Sequence, residues 1–206
     1  MNWRWEKRDH RFTRVAPVIE KMIRGASHIC TELFEQSPEY MPFHDNEAAG
    51  VSLLAGGAAR QGCSPVAEYP VSKKTWEAVQ QKYGTRPSSL KAKHLMRGRA
   101  DLSVLHEKRY FSFEFKKTYE RANRRLGERG LRSNLEYFHE YCVEEIDRID
   151  DNEYHHIMAG IIAPVFEHTK ENILRDFCSE VNLAASIGGR NSYKVYFFFS
   201  SISMFG

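Results

Sequence analysis

Tyr110 to Lys116, read as Tyr-Phe-Ser-Phe-Glu-Phe-Lys, constrains the fold of this chain more than any other stretch. Strand side chains alternate between two faces. Phe111, Phe113 and Phe115 therefore turn towards a core, and Ser112, Glu114 and Lys116 turn the other way. The run before it, Ala100 to Leu105, has the same alternation: Ala100, Leu102 and Val104 on one face, Asp101 and Ser103 on the other. His106-Glu107-Lys108-Arg109 lies between the runs as a short polar turn. With Glu107-Lys108 as a two-residue loop, Val104 pairs with Phe111, Leu102 with Phe113 and Asp101 with Glu114. A three-residue loop breaks this pairing.

Two carboxylates facing each other across a hairpin repel. A bound cation removes the penalty, and hard cations such as magnesium prefer carboxylate oxygens while keeping room for water and a phosphate oxygen. Lys116, on the same face, could orient that water or neutralise developing charge. Alternation alone reads more readily as the solvated outer face of a half-buried hairpin.

Gly98-Arg99-Ala100-Asp101-Leu102 followed by Phe113-Glu114-Phe115-Lys116 resembles the signature of the PD-(D/E)xK nucleases, the restriction-endonuclease-like superfamily. Asp101 falls on the family's strand-start acid, and Glu114 and Lys116 on its Glu-x-Lys. Ala100 stands where the family name has Pro. The resemblance implies an α/β fold with an αβββαβ core, a mixed central sheet flanked by helices. It also implies Mg2+ or Mn2+ bound by Asp101 and Glu114, with Lys116 activating or positioning water and a further acid on the first helix.

The surrounding sequence has matching elements. Asp45-Asn46-Glu47 opens a helical stretch to about Gln61, with Asp45 as N-cap and Gly62 as the stop. Glu47 sits in its first turn, either compensating the helix dipole or serving as the fourth site residue and third metal ligand. Pro65 to Ser72 reads as the first strand, with Pro70 suggesting an edge or a bend. Lys73 to Tyr83 has a short helical pattern, with Trp76, Val79 and Tyr83 spaced by three and four. Gly84 to Gly98 is a basic loop. After the hairpin, Arg121 to about Ile149 reads as a long helix, either continuous or broken near Gly127 or Gly130, whose buried stripe is Leu131, Leu135, Phe138, Cys142, Ile146 and Ile149. His156 to Val165 is an apolar run of strand length, Glu171 to Val181 a second amphipathic helix, and Tyr193 to Ser201 a last strand.

Residues 1–43 read as an addition to a nuclease-like domain over 44–206. Met1 to Arg14 is a basic, aromatic arm. Pro17 opens a helix to about Gln36 that could pack on the core, form a dimer contact or meet nucleic acid. No apolar run reaches the ~18 residues of a membrane span, and the N-terminus has no apolar signal core, so a cytoplasmic location is expected. Cys30, Cys63, Cys142 and Cys178 lie far apart without a CxxC and read as free buried thiols rather than zinc ligands.

The net charge of +3 conceals an asymmetry. Residues 73–132 carry 17 Lys+Arg against 6 Asp+Glu, a net of +11, whereas residues 133–206 carry 5 against 12, a net of −7. A polyanion approaching paired acids needs such a field. Arg99, Lys117, Arg121, Arg124 and Arg125 are the expected nucleic-acid contacts, with DNA the expected partner. Such phosphate contacts do not read sequence. Cutting both strands would favour a symmetric homodimer. The alternative class is a non-catalytic nucleic-acid-binding or assembly protein that keeps the nuclease fold.

Overall fold

The computed structural model describes residues 1–44, 46–74, 95–118, 128–149, 156–165, 171–188 and 194–201. The strands are β1 (Asn2–Arg8), β2 (Ser64–Lys74), β3 (Leu95–His106), β4 (Arg109–Lys117), β5 (His156–Val165), β6 (Leu183–Gly188) and β7 (Lys194–Ser200). The helices are α1 (Ala16–Gln36), α2 (Glu47–Arg60), α3 (Glu128–Arg148) and α4 (Glu171–Phe177). One seven-stranded sheet runs β1-β6-β7-β5-β4-β3-β2. Its pairs are antiparallel except β4 with β5, which are parallel neighbours. Parallel neighbours need a crossover of a dozen or more residues, and α3 lies in that connection. The fold is α/β with a mixed sheet.

Helices cover both faces. Val18, Ile19, Met22 and Leu54 of α1 and α2 pack with Phe111, Phe113, Phe115, Phe197 and Phe199 on one side. Leu131 and Leu135 of α3 and Leu174 and Phe177 of α4 pack with Ile161, Ala163, Tyr196 and Phe198 on the other. The Phe-rich alternation of β4 and β7 divides these side chains between the two layers. Strands buried on both faces lose the polar-out half of their pattern. For this reason His156 to Val165 reads as an unbroken apolar run.

The hairpin has the expected register: Val104 pairs with Phe111 and Leu102 with Phe113. Glu107 and Lys108 have φ of 48° and 63°. Positive φ at both central residues is the backbone of a two-residue turn whose twist suits a hairpin. Asn46, not Asp45, is the described N-cap of α2, its side-chain oxygen accepting from the Ala49 N–H at 2.8 Å; Asp45 lies outside the described residues.

Three expectations change. Lys73 and Lys74 continue β2 rather than opening a helix, and residues 75–94 lie outside the described residues. Asn2–Arg8 is an edge strand paired with β6, so the basic arm is part of the sheet. Trp3 and Trp5 pack on the core beside α1, and alternate Arg4 and Arg8 are exposed. Ala100 does not share a face with Leu102 and Val104: it packs with Val71 and Ile149. The change of face falls at Asp101, where pairing is interrupted on both sides. The β2–β3 ladder skips Glu68 and Asp101, with Glu68 at φ 54°, and the β3–β4 ladder ends at Leu102–Phe113. Such irregularities bend a strand and re-aim its side chains.

Candidate active site

The alternation of β4 puts Ser112, Glu114 and Lys116 on the α3 side. This face is not solvated. The Ser112 and Ser103 hydroxyls share a buried hydrogen bond of 2.8 Å, and Glu114 is only 5 % exposed. What reads as the polar outside of a hairpin is therefore an interior polar row, which native proteins keep only with partners.

Asp101 and Glu114 are not a ladder pair. Phe115, the next residue whose amide faces β3, has lost its strand partner because β3 turns away. The Asp101 carboxylate takes the place of that strand, with Oδ2 accepting from the Phe115 N–H at 2.7 Å. Lys116 Nζ donates to the Phe115 carbonyl at 2.9 Å and to Glu47 Oε1 at 3.0 Å. It also lies 5.6 Å from the centre of the Tyr141 ring on α3. Lys116 thus bridges the N-terminal end of α2 and the middle of α3 at the end of β4.

Lys73 is the site residue that sequence reasoning missed. Its Nζ donates to Glu114 Oε1 at 2.5 Å and to Glu145 Oε2 at 3.2 Å. Arg148 holds the other Glu145 oxygen at 2.8 Å. The helical spacing of Trp76, Val79 and Tyr83 drew Lys73 into the wrong element. The overlooked signal was Gly98. A Cβ there would meet Lys73 Cδ at 2.6 Å and Cγ at 2.7 Å, so the glycine makes room for the lysine stem.

Burial pushes the Glu114 carboxyl up to about 7, and the nearby Asp101 and Glu145 charges add to the shift while Lys73 opposes it. Burial works against the Lys116 charge, yet Glu47 and Asp101 outweigh it and raise the Lys116 pKa. Lys116 is therefore an ammonium at neutral pH. It can orient water and neutralise charge, and it does not act as a base in this state.

The folded protein holds the Glu114 proton more tightly than the unfolded chain does. Glu114 therefore costs stability as pH rises from about 4.5 to about 7, and adds no further cost above that. Denaturant unfolding of the metal-free protein should show this loss across the interval. Glu114→Gln should flatten it; an unchanged pH slope in that variant would remove Glu114 as its source.

Among the described residues, no three His, Cys, Asp or Glu side chains form a group that could hold a metal ion. The structure brings Asp101 near Glu114 but sets Glu47 against Lys116. The chemistry of the donors nonetheless suits a hard cation. The Asp101 and Glu114 carboxylates are oxygen donors, and burial, with the neighbouring Asp101 and Glu145 charges, holds the Glu114 proton to about 7. Thiolate ligation is disfavoured: all four cysteines are buried and free, and burial pushes Cys30 up to about 12 and Cys178 to about 11.

Of the expected nucleic-acid contacts, Arg99 is exposed, 3.4 Å from an exposed Glu68. Lys117 is a correction. It is 2 % exposed and donates to the His44 carbonyl at 2.9 Å, because it shares the inward face of Phe113 and Phe115. It is not placed to meet a phosphate. Arg121, Arg124 and Arg125 lie outside the described residues.

Comparison with protein-family models, curated proteins and solved structures finds no match for this chain. No described helix is long and apolar enough to cross a membrane.

Proposed function

We propose that this chain is a metal-dependent nuclease with a restriction-endonuclease-like core, hydrolysing phosphodiester bonds in DNA. The observation that carries the reading is the meeting of Asp101, Glu114 and Lys116 at the end of β4, with Glu114 buried. The order α2-β2-β3-β4-α3-β5 supports it, since this is the αβββαβ order that the sequence resemblance implies. In this reading residues 1–43 are the addition to the core, although β1 and α1 are built into the same sheet and apolar layer.

Asp101 and Glu114 would hold Mg2+ or Mn2+. Such a cation polarises a phosphoryl oxygen and lowers the pKa of bound water. The chain's own residues do the rest. Glu47 and the Phe115 carbonyl fix the Lys116 ammonium beside the acids, where it can position the attacking water and stabilise charge on the phosphoryl oxygens. Asp101 keeps β3 and β4 in register where their ladder stops. Lys73 keeps Glu114 from standing alone in the interior.

The second reading is a nucleic-acid-binding or assembly protein without catalysis. The Lys73–Glu114 ion pair favours it, because a lysine can neutralise a lapsed metal site. Incubation with single-stranded, double-stranded and branched DNA, with Mg2+ or Mn2+, separates the two. We expect metal-dependent cleavage by the wild type that is lost in Glu114→Ala. Cleavage that persists in that variant removes the assigned site, and tight binding without cleavage under either metal supports the second reading.

A further inference from the structure

Lys73 sits where few lysines do. It is 9 % exposed, on the edge strand β2, and its ammonium lies 2.5 Å from the buried Glu114. Its stem crosses Gly98, where the missing side chain makes room for it. Its second anchor, Glu145 at 3.2 Å, belongs to α3 and is held in turn by Arg148. The lysine therefore has a resting place that does not depend on Glu114. The Lys73 backbone also bridges Ile149 just beyond the end of α3.

A divalent cation and an ammonium compete for the same carboxylate lone pairs. Mg2+ needs its oxygens at about 2.0–2.1 Å in near-octahedral array, and an ammonium already on Glu114 Oε1 stands in that space. Resting on the reading that Asp101 and Glu114 bind metal, we infer that Lys73 is the resident counter-ion of the cation seat. It holds the place beside Glu114 in the metal-free protein and withdraws along Gly98 towards Glu145 when metal loads. Metal affinity is then set in part by how readily Lys73 lets go. Lys73 is a positioning residue and not a ligand. Its removal should strengthen metal binding, the opposite of what removing a ligand or a purely structural residue does.

The test is Mn2+ titration by calorimetry on wild type, Lys73→Met, Gly98→Ala and Glu114→Gln, without nucleic acid and at one fixed pH. Met keeps the packing of the stem and removes the charge. Gly98→Ala keeps both charges and pushes the stem aside, so it serves should Lys73→Met fold poorly. We expect Lys73→Met to bind Mn2+ about tenfold more tightly than wild type, the effect of one unit charge at this range. Gly98→Ala should shift in the same direction. Mn2+ should also raise the melting temperature of Lys73→Met more than that of wild type, because the metal replaces the missing charge. Wild-type binding that Glu114→Gln abolishes, with Lys73→Met or Gly98→Ala binding no more tightly than wild type, overturns this inference and leaves the nuclease reading standing. No Mn2+ binding by any of the four overturns both.

Discussion

Lys116→Met should lower the turnover of metal-dependent DNA cleavage by about a thousandfold, the loss typical of removing one preorganised electrostatic group. The melting temperature should hold. Methionine keeps the unbranched stem beside Tyr141 and removes only the ammonium. The partner left behind, Glu47, has a side chain 31 % exposed and can be solvated, so its stranding costs little, within the range of surface pairs. The lysine also lies at the open end of the site, whereas Glu114 is enclosed. The loss should therefore fall on turnover and not on stability. Cleavage within about threefold of wild type would take Lys116 out of the chemistry.

The second large effect is on stability. α1 and α2 cross with their backbones in contact at Gly25 and Gly57. A Cβ on Gly57 would overlap the Met22 carbonyl oxygen and the Ala26 amide nitrogen, and one on Gly25 would overlap the Gly57 carbonyl. These obstacles are backbone and cannot swing aside. Helix propensity alone predicts that Gly57→Ala stabilises by about 1 kcal/mol. The clash is larger, because the helices must move apart and open the apolar layer formed by Met22, Ala26, Leu54 and Ala58. A net loss of roughly 3 kcal/mol is expected, lowering the melting temperature of a chain this size by about 10 °C. The change should also reach the site, since α2 carries Glu47 to Lys116. Thermal unfolding followed by circular dichroism reads it, and a melting temperature equal to or above wild type would show that the crossing can relax.

The parts legible in the sequence are those where a local rule and the tertiary structure agree. The hairpin register followed from alternation and a two-residue turn, and Glu107 and Lys108 take the positive φ this demands despite being neither Gly nor Asn. The stripe from Leu131 to Ile149 is buried along α3 because helical periodicity and packing coincide, with Phe138 only partly covered. The misses occur where they part. Leu183 to Gly188 is short, small and apolar, and nothing local marks it as a strand; the pairing with β1 and β7 makes it one. Asn2–Arg8 alternates Trp with charged residues, but its charge read more strongly than its period. At the site, Asp101, Glu114 and Lys116 could be found by spacing. Lys73 and Glu145 reach it from another strand and another helix, and the change of face at Asp101 falls where two ladders are interrupted, which no single segment encodes.

A crystal structure of the protein grown with millimolar Mn2+ tests the central claim most directly. One cation should be bound by carboxylate oxygens of Asp101 and Glu114, with Lys73 Nζ withdrawn from Glu114 towards Glu145. Asp101 and Glu114 without a cation at that concentration, and Lys73 still seated on Glu114, would contradict it.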